Sequence, residues 1–237
     1  MSSLLQITRE LSEAVSSLSF SEPVSFIYNP LSYAEKPIKL YLEQYATRGA
    51  KVLLLGMNPG PFGMAQSGIP FGDTVFVKDW MNISAPVGKP PKEHPKRPVD
   101  GFDCARREVS GSRLWGWAKE RYEQPEEFFN KFFVWNYCPL VFMGESGKNI
   151  TPDKLPKEES APLFQACDLA LREIVSTLKI ERLVGIGKFA EKQAGKTFAD
   201  SALEISSILH PSPASPLANR GWAEAAEKGF LESGIEL

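Results

Sequence analysis

The sequence has few cysteines, and their placement argues against several kinds of site. Cys104, Cys138 and Cys167 lie far apart among 237 residues, and no C-x-x-C pair occurs. An odd number at these spacings does not suit a disulfide framework, a zinc site or an iron–sulfur cluster. We therefore expect no metal or other cofactor and a reduced, cytoplasmic setting.

Long apolar runs and a strong net charge are also missing. No stretch approaches the roughly 20 apolar residues that a transmembrane helix requires. The first 20 residues place apolar side chains at helical spacing between charged ones, so we expect an amphipathic helix and not a signal peptide. The formal net charge of −2 argues against general polyanion binding but permits a small basic face.

The composition and the pattern of apolar runs predict one α/β domain over residues 1–237. Hydrophobic and charged contents of 43% and 24% are ordinary for a globular protein. Alternating strand and helix patterns, the clearest helix covering 161–178, predict a three-layer α/β/α sandwich with a central, mainly parallel four-stranded sheet. The predicted strands cover 51–55, 132–137, 182–186 and 205–210.

Polar side chains stand near the ends of three predicted strands. Asn58 follows the first strand, Asn136 lies near the end of the second, and His210 ends the fourth. Because ligands of parallel sheets bind beyond the carboxyl ends of the strands, we expect these three side chains to meet at one edge. The third strand leads into GIGKFAE, which predicts a helix start near Lys188.

The connection after the first strand reads GMNPGPFGMAQSGIPFGD and covers residues 56–73. It lacks the G-x-x-x-x-G-K-[ST] and G-x-G-x-x-G patterns, so a phosphate loop is not indicated. Its glycines let a flat ligand approach the backbone, and Phe71 offers a ring face for stacking. Asn136 supplies a donor and an acceptor, which suit the edge of a nucleobase.

Each of these side chains also has a structural interpretation. Asn58 could cap the short helix that follows it, and Phe71 could belong to the core. Asn136 could satisfy a loop backbone, and His210 could be a core histidine that donates to a carbonyl. His94, the only other histidine, is interpreted as a surface residue.

Three motifs resemble those of the single-strand-selective monofunctional uracil-DNA glycosylases, a branch of the uracil-DNA glycosylase superfamily. They are GMNPGPFGMAQSG-x-PFG, WNYCPL and HPSPASPLANRGW, and they occur in the expected order. The resemblance implies the fold of that superfamily and a hydrolase that flips uracil out of DNA and releases it, leaving an abasic site in base excision repair. It extends this expectation to 5-hydroxymethyluracil and, through bacterial members, to xanthine.

The resemblance also implies the partner and the roles of the cavity residues. The partner is single- or double-stranded DNA that contains damaged bases, at the nucleoid of a bacterium or in the nucleus of a eukaryote. A monomer is the default expectation for a protein that must approach DNA freely. Asn58 positions the attacking water, and His210 donates a hydrogen bond to O2 of the base. Phe71 stacks on the flipped base, Asn136 reads its Watson–Crick edge, and the backbone of Met57 lines the pocket.

Two positions bear on the range of substrates. Gly60 stands where the strictly uracil-specific branch has a bulky Tyr that blocks the 5-position of the base, so we expect 5-substituted uracils to be accepted. Ala214 stands where vertebrate members carry an Arg that helps to open the duplex. We therefore expect weaker processing of duplex DNA, unless Leu217 or Arg220 compensates. The motifs contain no lysine for a Schiff base, which favours a monofunctional enzyme.

Contacts to DNA are predicted at two helix starts and in the loop after His210. Backbone N–H groups at a helix N-terminus favour phosphate, and serines between prolines offer donors on a stiff loop. The predicted DNA-binding residues are Ser110, Arg113, Lys188, Pro211, Ser212, Pro213, Ala214, Ser215 and Arg220. The basic segment 88–107 is a predicted surface loop; its cations could contact the DNA backbone or only face solvent.

Two other functions remain open at this stage. The first is a catalytically inactive reader of damaged bases, which would keep the pocket and would not need a residue that orients water. The second is an enzyme that acts on free nucleosides or nucleotides, which would not need the Pro-Ser-rich loop after His210.

Overall fold

The computed structural model describes residues 3–237; Met1 and Ser2 lie outside this range. The strands are β1 (Phe26–Tyr28), β2 (Val52–Gly56), β3 (Phe132–Asn136), β4 (Val141–Met143), β5 (Asn149–Ile150), β6 (Arg182–Ile186) and β7 (Glu204–Ile208). The α-helices are α1 (Leu4–Ser16), α2 (Pro30–Tyr33), α3 (Glu35–Tyr45), α4 (Met64–Ser67), α5 (Thr74–Asp79), α6 (Val109–Tyr122), α7 (Pro125–Lys131), α8 (Lys157–Leu178), α9 (Lys188–Thr197) and α10 (Pro216–Glu232).

The main sheet has four parallel strands in the order β3-β2-β6-β7. Strands β2 and β3 are buried along their whole length, because helices cover both faces of the sheet. The register sets Gly56 opposite Asn136. The last residue of β2 therefore lies beside the amide side chain at the end of β3.

Helices occupy opposite faces of the main sheet because the chain reverses direction across it. The connection from β2 to β3 runs one way, and the connections through β6 to β7 run the other way. Right-handed crossovers then place α6 and α7 on one face and α8 and α9 on the other. Contacts of α7 with β3 and of α9 with β6 and β7 agree with this arrangement. The predicted three-layer sandwich with a parallel four-stranded sheet is confirmed.

Element boundaries differ from the prediction in places. The strand at 182–186 is confirmed, and the other three shift by one or two residues. His210 lies beyond the end of β7 and not at its last position. The long helix begins at Lys157, before the predicted start, and the N-terminal helix is confirmed as α1, capped by the Ser3 side chain.

A second, antiparallel sheet of order β1-β4-β5 was not predicted. His94 packs against it, which corrects its interpretation as a surface residue: only 1% of His94 is exposed, and its ring lies 4.7 Å from that of Phe26. Its Nδ1 accepts from the Lys96 backbone, and its Nε2 lies 3.0 Å from the Glu145 carbonyl oxygen. Within residues 3–237, no helix is long and apolar enough to cross a membrane.

Candidate active site

A cavity of about 340 Å³ opens at the carboxyl edge of the main sheet. Asn58, Asn136 and His210 all line it, so the predicted convergence of these three side chains is confirmed. The cavity lies where the strand order reverses. From β2 the chain continues to β3 on one side, and the later strands β6 and β7 lie on the other side. Its size falls within the range of about 300–1,000 Å³ that is common for small-ligand sites.

Asn58 is held by the backbone of a neighbouring segment. Its Nδ2 donates to the carbonyl oxygen of Leu140 at 3.1 Å and to that of Pro59 at 3.2 Å. The interpretation as a helix cap is wrong, because α4 begins at Met64 and Gly63 is its N-cap. Because Nδ2 donates to both of these carbonyls, Oδ1 is left as an acceptor for a water molecule in the cavity.

His210 lies two residues beyond β7 and lines the same cavity. Burial lowers its pKa from the ordinary value, so the imidazole is neutral at neutral pH. Its ring makes no hydrogen bond among the residues that the structure describes, which disagrees with a core histidine that donates to a carbonyl. One ring N–H is thus available to a ligand.

Phe71, Asn136 and Gly56 meet closely at the floor of the cavity. A Cβ atom on Gly56 would overlap Oδ1 of Asn136 and the ring of Phe71, so any other residue there must displace one of these two side chains. Phe71 has a positive φ of 54°, and Nε1 of Trp115 donates to its carbonyl oxygen at 3.1 Å. These contacts orient the Phe71 ring, which lies 6.2 Å from the His210 ring.

The Asn136 side chain is almost fully buried. Its Nδ2 donates to Sδ of Met64 at 3.4 Å, and sulfur is a weak acceptor. Among the described residues, Nδ2 donates to no loop carbonyl. Most of the hydrogen-bonding capacity of the amide is therefore free. Met57 also lines the cavity, and its carbonyl oxygen accepts from the backbone of Cys138. The backbone of the first loop is thereby joined to the WNYCPL segment.

Glu108 is a cavity residue that sequence reasoning missed. Its Oε1 accepts from the Ser110 backbone N–H at 3.1 Å and caps α6. Its Oε2 faces the first loop: a Cβ atom would lie 3.4 Å from it at Gly60 and 3.3 Å at Gly63. Burial raises the pKa of this carboxyl, although the Ser110 hydrogen bonds oppose the shift. The sequence signal was the glutamate directly before the helix-start pattern VSGS.

The loop after His210 is held by Arg113, which was predicted to bind DNA. NH1 of Arg113 donates to the carbonyl oxygens of Pro211 and Ser212 at 3.0 and 3.2 Å. NH2 donates to Oδ1 of Asn219 at 2.7 Å, and Nδ2 of Asn219 donates to the carbonyl oxygen of Pro213 at 2.9 Å. We call Arg113 and Asn219 the loop clamp, because together they join three consecutive carbonyls of this loop.

The other predicted DNA-binding residues lie in varied surroundings. Ser110 and Ser212 line the cavity, whereas Pro213, Ala214 and Arg220 are exposed. Pro211 is buried, and Oγ of Ser215 caps α10. Nζ of Lys188 contacts Glu191 and Ser207, away from the cavity lining. Their contacts to DNA stay predictions.

Comparisons with known proteins agree with these features. A family profile described as "Uracil DNA glycosylase superfamily" matches residues 43–228. The chain is 45% identical over 233 residues to the single-strand selective monofunctional uracil DNA glycosylase of Bos taurus, covering 98% of this chain and 86% of the relative. The protein described as single-strand selective monofunctional uracil-DNA glycosylase in Rattus norvegicus is 46% identical, covering 98% and 82%.

A solved structure shares the fold. It is that of wild-type Pedobacter heparinus SMUG2, with a TM-score of 0.63 and 18% identity over 96% of this chain and 98% of that chain. The three motifs border one cavity, and the profile and the relatives match most of the chain. This chain therefore belongs to the uracil-DNA glycosylase superfamily, in the branch of the single-strand-selective monofunctional enzymes.

Proposed function

We propose that the protein flips uracil out of DNA and hydrolyses its N-glycosidic bond without cutting the strand. The observation that carries this proposal is the meeting of an anchored Asn58, a neutral His210 and the Phe71 ring in one cavity. Family membership supports the reaction type, since the named relatives are uracil-DNA glycosylases.

The proposed chemistry begins with departure of the base. When the bond between C1′ and N1 breaks, both electrons leave with uracil, and the sugar becomes an oxocarbenium ion. An N–H of His210 directed at O2 stabilises the negative charge as it develops, in the manner of an oxyanion-hole donor. Removing one such donor typically costs about 10²–10³ in rate. Neutral His210 can offer this donor at neutral pH.

Water then attacks C1′ of the sugar cation. Oδ1 of Asn58 accepts a hydrogen bond from this water and fixes its direction, while the Leu140 carbonyl holds the amide in place. An amide does not take up a proton near neutral pH, so the proton of the water passes to the departing base or to solvent. The products are free uracil and an abasic site.

The substrate range is proposed to include 5-hydroxymethyluracil and xanthine. A Cβ atom on Gly60 meets only Oε2 of Glu108 within 4 Å, at 3.4 Å, so this wall of the cavity carries no bulky side chain. Space at this wall supports acceptance of a base with a 5-substituent or a second ring.

The test is base release from end-labelled oligonucleotides that carry uracil, 5-hydroxymethyluracil or xanthine, each single-stranded and duplex. Alkali then cuts every abasic site, and parallel samples contain a chelator. We expect strand breaks that require alkali, persist in chelator and disappear in Asn58→Ala. Asn130→Ala is the matched control, because Asn130 is exposed on α7 outside the cavity lining.

Each outcome separates the proposal from its rivals. Tight binding without base release would support a catalytically inactive reader. Cleavage of free deoxyuridine at the rate seen for DNA would support a nucleoside enzyme. Strand breaks without alkali would contradict the monofunctional assignment.

A further inference from the structure

Phe62, in the first loop, is contacted by two arginines from the basic segment. The guanidinium carbon of Arg106 lies 4.4 Å from the centroid of the Phe62 ring, and that of Arg97 lies 5.3 Å from it. Both distances lie within the roughly 6 Å at which cation–π attraction is significant. We call these three residues the arginine platform.

Gln66 fixes the two loops that carry the platform. This fully buried side chain donates to the carbonyl oxygens of Pro61 and Pro98, both at 2.9 Å. Its Oε1 accepts from the backbone N–H groups of Asp100 and Gly101. Pro61 precedes Phe62 and Pro98 follows Arg97, so the four hydrogen bonds of one amide set the ring beside the guanidinium.

The platform has positive charge without an acidic partner. Nearby Lys89 pairs with Glu93 and Arg107 pairs with Asp73, but neither Arg97 nor Arg106 forms an ion pair among the described residues. Nε of Arg97 is buried without a hydrogen-bond partner. Both guanidinium groups lie within 5.3 Å of the same ring centroid. An anion bound near that ring would offset the positive charge that no carboxylate among the described residues pairs with.

The platform also lies next to the cavity. Gly60 and Gly63 line the cavity, and half-buried Phe62 stands between them in the chain. NH1 of Arg97 donates to the carbonyl oxygen of the preceding residue at 2.8 Å, and its Nε is buried, so its NH2 is left for a ligand. Arg106 is exposed, and its planar group of N–H donors matches two oxygens of a phosphate. A DNA strand that delivers one nucleotide to the cavity carries phosphates on both sides of that nucleotide.

We propose that Arg97 and Arg106 together bind one phosphodiester group of the DNA strand that carries the flipped nucleotide. This inference rests on the proposed function, because it requires DNA at the cavity. It assigns the two arginines to sequence-independent positioning of the strand, whereas Asn136 and His210 recognise the base. Because the whole chain has a net charge of −2, DNA must be held by local cationic sites and not by the overall charge.

The first test measures the salt dependence of binding. The probe is a single-stranded oligonucleotide with 2′-fluoro-arabino-deoxyuridine, whose glycosidic bond resists cleavage. Because one phosphate is neutralised, we expect the slope of log K against log salt to fall by about 0.7 in Arg97→Gln/Arg106→Gln. The Kd at constant salt should rise by about tenfold or more, as expected when charge-assisted hydrogen bonds are lost. An unchanged slope would overturn the proposal.

Arg172→Gln is the matched control. Its guanidinium also lies near an aromatic ring, 5.7 Å from the Phe198 centroid, but Arg172 is on α8 and does not line the cavity. We expect wild-type slope and Kd for this variant. An equal loss of slope in the control would show a general charge effect and would contradict a local site.

The second test locates the phosphate. Single methylphosphonates, which are neutral, replace the phosphates on either side of the fluorinated nucleotide one at a time. We expect one position to weaken binding by the wild type and to leave the double variant unaffected, since the two changes remove the same contact. Equal weakening of both proteins at every position would overturn the assignment.

The outcomes for this inference and for the proposed function are distinguishable. If the wild type releases no base and binds the fluorinated probe no better than an undamaged strand, the proposed function has failed. If the wild type releases uracil but the double variant binds like the wild type, only the arginine platform has failed.

Discussion

His210 combines a free N–H with a pKa that burial lowers. The unfolded chain therefore takes up a proton at this residue at a higher pH than the folded chain. Stability from His210 is complete above its ordinary pKa of 6.5 and declines as the pH falls below that value. The same neutral state that suits a hydrogen bond to O2 thus makes the fold sensitive to acid.

We predict that His210→Asn weakens this acid sensitivity. Asparagine does not titrate, so a fall in pH does not lower the free energy of unfolding of the variant through this position. Urea unfolding at about pH 7.5 and about pH 5.5 should show a larger fall in the free energy of unfolding for the wild type than for the variant. Equal falls in the two proteins would contradict the prediction.

Gly60 and Gly56 should respond differently to substitution. A Cβ atom meets ordinary contact at Gly60 but severe overlap with Asn136 and Phe71 at Gly56. We predict that Gly60→Tyr reduces release of 5-hydroxymethyluracil relative to uracil by about tenfold or more, through the filled wall. Gly56→Ala should reduce release of both bases, because the added Cβ atom displaces Asn136 and Phe71 from the floor of the cavity. Unchanged 5-hydroxymethyluracil release by Gly60→Tyr would contradict the open-wall interpretation.

At the scale of elements, the loop after His210 is rigidly attached yet presents an exposed tip. The loop clamp of Arg113 and Asn219 joins three of its carbonyls to α6 and α10, while Ala214 projects from the tip and is exposed. A side chain added at position 214 would therefore be presented from a fixed backbone. Such a side chain can enter duplex DNA without first ordering the loop.

We predict that Ala214→Arg raises base release from duplex relative to single-stranded DNA. The guanidinium would fill the space that a flipped base leaves, and the clamp would hold it there. Adding Asn219→Ala in the same chain should remove part of the gain, because the Pro213 carbonyl is then no longer held. Single-turnover rates on both substrates test this, and a ratio unchanged by Ala214→Arg would refute it.

The main elements of the fold follow from the sequence, but some details do not. Continuous apolar runs such as RLVGI at β6 gave the parallel sheet, and strand ends then brought Asn58, Asn136 and His210 together. The second sheet escaped prediction because strands of two or three residues show no period. His94 escaped because long-range packing against Phe26 places it. The local pattern before α6 marks Glu108 as a helix cap, but its approach to Gly60 and Gly63 depends on long-range packing.

Over the whole molecule, one aromatic cluster supports the face of the sheet that carries α6 and α7. Phe128 is fully buried, and its ring centroid lies 5.6 Å from that of Trp115 and 5.3 Å from that of Phe132. Trp115 in turn donates to the Phe71 carbonyl. Trp115 therefore links the packed aromatic core to the residue whose ring is proposed to stack on the base.

We predict that Phe128→Ala lowers the free energy of unfolding by about 3–5 kcal/mol, through lost burial and the cavity it leaves. Leu169→Ala, at an exposed position of α8, should change it by less than about 0.5 kcal/mol. Urea unfolding at neutral pH measures both values. Similar losses for the two variants would contradict the role assigned to the cluster.

The proline that follows Asn58 also affects the chemical stability of the Asn58 side chain. Spontaneous deamidation of asparagine starts when the backbone nitrogen of the next residue attacks the side-chain amide carbon and closes a succinimide ring. At position 59 that nitrogen belongs to a proline and carries no hydrogen, so this route is closed. The amide proposed to direct water is thus protected from slow conversion to a carboxylate over the lifetime of the molecule.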